Sequence, residues 1–238
     1  MNNPKVTLIS SFATDRLFDE KGILIREQEG GPAFFISNVL KQEGIPFKTV
    51  TSPKIIVDIL LKNGDEFGKI GKQSSLEIDF ANINTPYLLI SPIINEFNLD
   101  GLDKYKGKVF LDAQGLTREP EEFGKKKNWQ IEKALINSIF CLKVADYELP
   151  YVNKDLIEKQ KEKILLLTRG SKGCEMYCFS ESSFIRPRNV IKPPNTIGAG
   201  DTFFANFTAK YIATENAVSA AIFASQQTTN FLSSKVTL

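Results

Sequence analysis

Histidine is absent from this chain of 238 residues. Its absence excludes Ser–His–Asp triads, imidazole acid–base chemistry and histidine-ligated metal sites. Any catalysis must come from carboxylates, lysine, backbone dipoles or a hard metal ion. Cysteine is scarce: Cys141, Cys174 and Cys178 are the only ones, with no C-x-x-C pair. An odd, sparse set argues against a disulfide framework and for reduced thiols, and so for a cytoplasmic protein. Cys174 and Cys178 read as packing residues on one face of a strand. Net charge is small, 30 basic against 28 acidic residues, or +2. No nucleic-acid or other polyanionic partner is implied. No apolar run approaches the ~18 residues a membrane span requires. Met1–Lys5 leads straight into Val6–Ile9 without the layout of a signal peptide. With 42% hydrophobic residues, the chain suffices for one packed domain over residues 1–238.

The most informative stretch is Asn195-Thr196-Ile197-Gly198-Ala199-Gly200-Asp201-Thr202-Phe203-Phe204. Pro193-Pro194 precedes it and cannot lie inside a helix. An apolar helical pattern begins at its end. The segment therefore reads as a loop feeding a helix N-terminus, where unpaired backbone N–H groups form a ready anion site. Small residues let a phosphate approach the backbone closely. Asp201 stands at the edge of that site, placed to take a proton from an attacking hydroxyl. A phosphate cradle beside a carboxylate is what phosphoryl transfer to an alcohol needs. The helix N-terminus is expected to depress the pKa of Asp201.

Along the chain, Val6–Ser10 reads as a buried strand and Ser11–Asp15 as a polar loop. Residues 17–29 read as a hairpin, and 33–43 as a helix ended by Gly44. Residues 55–70 form the clearest hairpin, turning at Asn63-Gly64, the favoured two-residue turn. Apolar strands follow at 87–90, 108–111, 141–144 and 164–167, with a returning strand at 174–179. Helices are expected over 129–138, after Gly200, and from about 216 to 231. The Lys125-Lys126-Lys127 run reads as a solvated face or a helix start. Strands alternating with helices predict an α/β fold with a doubly wound, mostly parallel sheet. Ligands bind such sheets at the carboxyl ends of the strands, where the polar words of this sequence fall.

Five of those words, in order, resemble the ribokinase (PfkB-type) carbohydrate-kinase family. They are Gly30-Gly31-Pro32-Ala33, Asp112-Ala113-Gln114-Gly115-Leu116-Thr117-Arg118, Lys143-Val144-Ala145-Asp146-Tyr147-Glu148, Thr168-Arg169-Gly170-Ser171-Lys172-Gly173 and Gly198-Ala199-Gly200-Asp201. The second is similar to a word of the inositol-kinase-like members. The resemblance implies a Rossmann-like body with a small β lid, formed here by residues 16–29 and 54–71. It implies ATP-dependent transfer of the γ-phosphoryl group to a hydroxyl of a small sugar or polyol, inositol among them, with Mg2+.

By the same resemblance Asp201 is the catalytic base. Gly198, Ala199 and Gly200 offer amides to the phosphoryl. Asp15 accepts from the substrate hydroxyl, and Gly30 and Gly31 let the sugar lie against bare backbone. Arg118 meets a phosphate or the sugar. Thr168, Gly170 and Gly173 border the nucleotide, and Lys143 touches phosphate or is simply solvated. Glu148 organises magnesium through water. Exposed lid edges favour pairing, so a homodimer through the lid strands is expected.

The match departs from the family pattern in places. Ala145 replaces an asparagine near the metal, Asn195 an acid, and Phe35 a sugar-contacting asparagine. Two other readings therefore stay open: a nucleoside or vitamin-alcohol kinase of the same fold, and a non-catalytic sugar or nucleotide binder.

Overall fold

The computed structural model describes residues 3–236. In chain order the elements are β1 (Val6–Ser10), β2 (Ala13–Phe18), β3 (Leu24–Gly30), α1 (Pro32–Gln42), β4 (Phe47–Val50), β5 (Ile55–Lys62) and β6 (Asp65–Ile70). Then come β7 (Tyr87–Ser91), β8 (Lys108–Asp112), α2 (Lys133–Ile136), β9 (Ile139–Ala145), α3 (Lys154–Lys161) and β10 (Ile164–Thr168). The chain closes with β11 (Cys174–Cys178), β12 (Glu181–Ile185), α4 (Ala199–Thr214) and α5 (Ala217–Ser234).

Eight strands form the main sheet in the order β12-β11-β10-β9-β8-β7-β1-β4. From β10 to β4 every neighbour is parallel, and β11 and β12 are added antiparallel at one edge. The central strands are apolar on both faces because both faces are covered. On one side α1, α4 and α5 bury Leu89, Phe110, Phe204 and Phe207. On the other, α3 and irregular segments bury Phe80, Phe97, Leu142 and Leu165. Each such side chain contributes roughly 1.5–3 kcal/mol on leaving water.

A second sheet, ordered β3-β2-β5-β6, stands above the first and corresponds to the expected lid. Its turn at Asn63 (φ 54°) and Gly64 (φ 82°) has the left-handed pair that a type I′ hairpin demands. Ile55, Val57 and Ile59 alternate onto its inner face and pack on Ile93 and Ile94 of the body. The lid begins earlier than expected: Asp15 lies within β2, not in a loop. A body segment covers the β6 edge, with Glu121 N–H donating to Ile70 O and Gly124 N–H to Gly68 O.

The helix expected over 129–138 is reduced to the single turn α2. Trp129 N–H donates to Tyr151 O and pairs in parallel with Val152, so tertiary pairing overrides helical spacing there. Conversely, α3 was not anticipated; Asn153 caps it by accepting from Leu156 N–H. Among the described residues, no helix is long and apolar enough to cross a membrane. Cys141, Cys174 and Cys178 carry free thiols and pack on the α1/α4/α5 side, Cys174 and Cys178 from one face of β11 as their spacing suggests.

Candidate active site

The parallel strands end on one edge of the sheet and deliver Asp112 from β8, Lys143 and Ala145 from β9 and Thr168 from β10. The N-terminus of α4 faces them, and the lid closes the top. Together they enclose a cavity of about 770 Å³. Every sequence-predicted site residue lines it except Gly30 and Glu148, which lie just behind its wall.

Gly198 takes a left-handed φ of 82° and turns the chain into α4. A Cβ at that position would lie 2.4 Å from the Phe35 ring, so only glycine fits over this phenylalanine. Of the three amides expected in the cradle, that of Ala199 is not free: it donates to Thr196 O at 2.9 Å and closes the turn. Among the described residues, the amides of Gly198, Gly200 and Asp201 have no acceptor within the protein. The cradle therefore keeps the amides of Gly198 and Gly200 and has that of Asp201 in place of Ala199.

Asp201 is 8% exposed and accepts from Gln114 Nε2 at 2.7 Å through Oδ1. Its pKa is not depressed. Burial pushes it up from 3.8 to about 6, Asp112 adds to this, and Lys143 opposes it. The helix dipole is outweighed because the carboxylate is taken out of water. Asp15, on the lid, is likewise raised to about 6 by burial and by Asp201, with Arg118 opposing.

Asp15 also explains Gly30. A Cβ there would sit 1.9 Å from Asp15 Oδ2, so the bare backbone seats the carboxylate rather than a sugar. At Gly31 (φ 79°) the space is filled by Ser11 O, 2.6 Å from a would-be Cβ. The space a Cβ would take is thus filled at both glycines, while Gly31 itself lines the cavity.

Lys143 is neither solvated nor free. Its ammonium lies 2.7 Å from Asp112 Oδ2, and both side chains are buried. Burial opposes its charge, but Asp112, Glu148 and Asp201 outweigh that and raise its pKa. Lys143 Nζ would lie 3.4 Å from a Cβ at Gly200, so the ammonium faces the cradle. Arg118 is aimed into the cavity by donating to Ile93 O at 2.9 Å and to Gln114 Oε1 at 3.2 Å.

Glu148 is fully buried. Its Oε2 accepts from Ala145 N–H at 2.9 Å, whereas Oε1 has no hydrogen-bond partner. That orphaned oxygen fits a hydrated magnesium ion, which needs only a carboxylate or two from the protein besides the donor's phosphates. Among the described residues, no cluster of three or more acidic or cysteine side chains could cage a metal unaided.

Thr168, Gly170 and Gly173 mark the turn between β10 and β11. Gly173 (φ 116°) packs so tightly that a Cβ would meet Ile185 O at 2.3 Å, whereas the space beside Gly170 is open.

Several site residues carry no clear signal in the sequence. Gln114 belongs to a quoted motif but gives no hint that it holds Asp201. Glu66, at the lid tip, accepts from the Thr196 backbone N–H and from its hydroxyl at 3.2 Å, tying the lid to the start of the cradle. Lys235 donates to Asn195 Oδ1 at 2.8 Å and Ile197 O at 2.6 Å, bracing the same loop. Lys126 is not on a solvated face. Its side chain is 14% exposed, 3.7 Å from Glu148 Oε1, and its ammonium lies 4.9 Å from the centre of the Tyr147 ring. Burial, aided by Arg118, lowers its pKa to about 8.

Residues 148–228 match the family model for pfkB family carbohydrate kinases. Similar solved structures include a sulfate-complexed pyrophosphate-dependent kinase in the ribokinase family. It is 19% identical, with a TM-score of 0.73, covering 96% of this chain and 95% of that one. The fold is that of the ribokinase family. A pyrophosphate-dependent kinase of that family complexed with a pyrophosphate analog and myo-inositol is 20% identical, with a TM-score of 0.71 and coverage of 96% and 95%. The Arabidopsis thaliana ribokinase complexed with ribose and ATP is 17% identical, with a TM-score of 0.67 and coverage of 94% and 91%. A search of curated proteins with this sequence gives no match. The ribokinase (PfkB-type) resemblance read from the motifs is borne out, and so is the α/β class with its mostly parallel sheet. On the ribokinase fold, the cavity at the strand ends lies between the body and the lid.

Proposed function

We propose that the protein is a phosphotransferase that moves the γ-phosphoryl group of ATP to a hydroxyl of a small sugar or polyol, with inositol the first candidate. One observation carries the reading. Asp201 faces the cavity beside the unpaired amides of Gly198, Gly200 and its own residue, and Asp15 stands across from it on the lid.

In this reading Asp15 accepts a hydrogen bond from the acceptor and orients it. The attacking hydroxyl loses its proton to Asp201 as its oxygen bonds to the γ-phosphorus. The bond from that phosphorus to the bridging oxygen breaks, and ADP leaves with the electron pair. A carboxylate raised to about 6 remains ionised at neutral pH and is a better base than an ordinary aspartate. The free amides meet charge on the migrating phosphoryl. Lys143, paired with Asp112, keeps its ammonium beside Gly200 as a fixed dipole without needing to move. Glu148 would hold a magnesium ion through Oε1, and that ion would neutralise donor charge. The Thr168–Gly173 turn borders the nucleotide. The lid, latched by Glu66, excludes water that would compete with the acceptor. We place the enzyme in the cytoplasm. Its open β3 edge and the exposed Ile23, Ile25 and Ile56 support a homodimer through the lid.

The test is product formation with magnesium-ATP against a panel of cyclitols, pentoses, hexoses and nucleosides, comparing the native chain with Asp201→Asn. A phosphorylated product from the native chain alone is expected, and its mass and phosphorus spectrum identify the hydroxyl. Polyol binding without turnover would replace this reading with a non-catalytic binder.

A further inference from the structure

The reading above leaves Lys126 at the cavity without a role. We propose that Lys126, together with Arg118, holds the polyphosphate of the phosphoryl donor. The inference rests on the kinase reading and deepens it.

Arg118 and Lys126 are opposite partners of an isolated antiparallel bridge. Two backbone bonds fix it, Glu119 N–H to Lys125 O at 2.9 Å and Lys127 N–H to Thr117 O at 2.8 Å. Directly opposed residues of an antiparallel pair project to the same side, and like charges so placed repel. This pair projects into the cavity, where both side chains line the wall. The repulsion is relieved when an anion sits between them.

Lys126 is held for that purpose without being spent. The Tyr147 ring lies beneath its ammonium, and Glu148 Oε1 attracts it from 3.7 Å, beyond hydrogen-bond length. Among the described residues, it makes no hydrogen bond within the protein. A largely buried ammonium with unused donors favours a ligand rich in anionic oxygens.

The position of Lys126 selects the donor over the acceptor. Glu148, which Lys126 approaches, follows the end of β9, and Ala145 at that end lies opposite Thr168 of β10. Both belong to the wall beside the Thr168–Gly173 turn, whereas Asp15 belongs to the lid. The ligand chemistry is a P–O–P polyphosphate, and ATP and inorganic pyrophosphate both supply it.

The experiment compares the native chain with Lys126→Gln, Lys126→Met and Lys126→Arg. Binding of inorganic pyrophosphate and of a non-hydrolysable ATP analogue is measured by calorimetry without acceptor, in magnesium and in EDTA. Donor and acceptor KM are measured separately. The glutamine and methionine variants should weaken donor binding about tenfold or more, as loss of a charged hydrogen bond implies. Acceptor KM should stay unchanged, and arginine should restore most of the loss. A loss confined to one of the two donors identifies the source of the polyphosphate. Unchanged donor binding in folded Lys126→Gln and Lys126→Met would overturn the assignment while leaving a native kinase intact. A shift in acceptor KM alone would overturn it in favour of a phosphate carried by the acceptor. A native chain that binds neither donor would remove the kinase reading itself, and this inference with it.

Discussion

Replacing Asp201 with asparagine should stop phosphoryl transfer and make the protein more stable. The buried carboxyl titrates near 6 in the folded chain, against an ordinary value of 3.8. Between those values the folded state binds more protons than the unfolded state. Stability therefore falls as pH rises through that window, and the cost is complete above about pH 7. The difference corresponds to about 3 kcal/mol at about 1.4 kcal/mol per pH unit. Asparagine abolishes the ionisation and keeps a side-chain carbonyl for Gln114 Nε2. The attraction of Lys143 and Arg118 for the carboxylate is already contained in that difference. A net stabilisation of about 3 kcal/mol at pH 8 is expected, or about 6–12 °C in Tm for a chain of this size.

The assay is thermal and urea unfolding of both proteins at pH 8 and pH 5, alongside turnover. At pH 5 the gap should shrink by about half, because there the carboxyl is mostly protonated in the folded state. Turnover should fall by about 10²–10⁴, the usual contribution of a positioned base. In the native enzyme, kcat/KM should decline as pH drops through about 6, a limb shared with Asp15. A variant no more stable than the native chain at pH 8, or one that still turns over, would refute the assignment of Asp201 as a buried, strained base.

Three further outcomes follow from the same contacts. Gly30→Ala should raise acceptor KM without changing donor KM or the fold, because its Cβ would fall 1.9 Å from Asp15 Oδ2 and displace that carboxylate; unchanged acceptor kinetics would refute the seating of Asp15. Lys143→Met should lower stability in urea by about 3–5 kcal/mol, since Asp112 is left buried and unpaired, and adding Asp112→Asn should recover part of the loss. Glu66→Ala should speed amide hydrogen exchange at the β5–β6 tip and at Thr196, which loses its acceptor; unaltered exchange would show that the latch does not hold the lid.

The fold was legible wherever local chemistry and tertiary structure agree. Asn63-Gly64 can hardly be anything but a hairpin turn, and Gly198 and Gly173 occupy backbone conformations few other residues tolerate. The apolar strands announced a sheet covered on both faces. Legibility failed where a distant partner decides. Ile131, Ala134 and Leu135 have helical spacing, yet Tyr151 O captures the Trp129 amide and holds the start of that stretch extended. Lys126 sits in a run of three lysines that reads as solvent-facing, and only the cross-strand bridge to Arg118 turns it inward. The motif places Asp201 at the helix start beside the cavity, but the direction of its pKa shift is not legible from it. A helix N-terminus is visible in sequence, whereas the desolvation that outweighs it depends on Gln114 and the neighbouring strand ends.

The same dependence on distant partners governs how the site balances its charge. Burial makes Asp15 and Asp201 reluctant to ionise, and a polyanionic donor arriving beside them would make them more so. The cavity must therefore supply positive charge that is not already committed. Lys143 is committed to Asp112 at 2.7 Å, and Lys235 to the carbonyl and amide oxygens of the cradle loop. Arg118 uses one guanidinium nitrogen on Ile93 O and another on Gln114 Oε1, leaving its charge unpaired. Lys126 meets Glu148 only at the distance of a loose ion pair. Lys125 is paired with Glu122 at 2.7 Å, so among the described residues Arg118 and Lys126 are the cavity-lining cations not hydrogen-bonded to a carboxylate, and the 117–127 hairpin sets them opposite each other. That hairpin also borders the β6 edge of the lid. Under the proposed function, donor charge and lid position therefore act on one structural unit, and donor binding should keep Asp201 ionised while the cavity is closed to water.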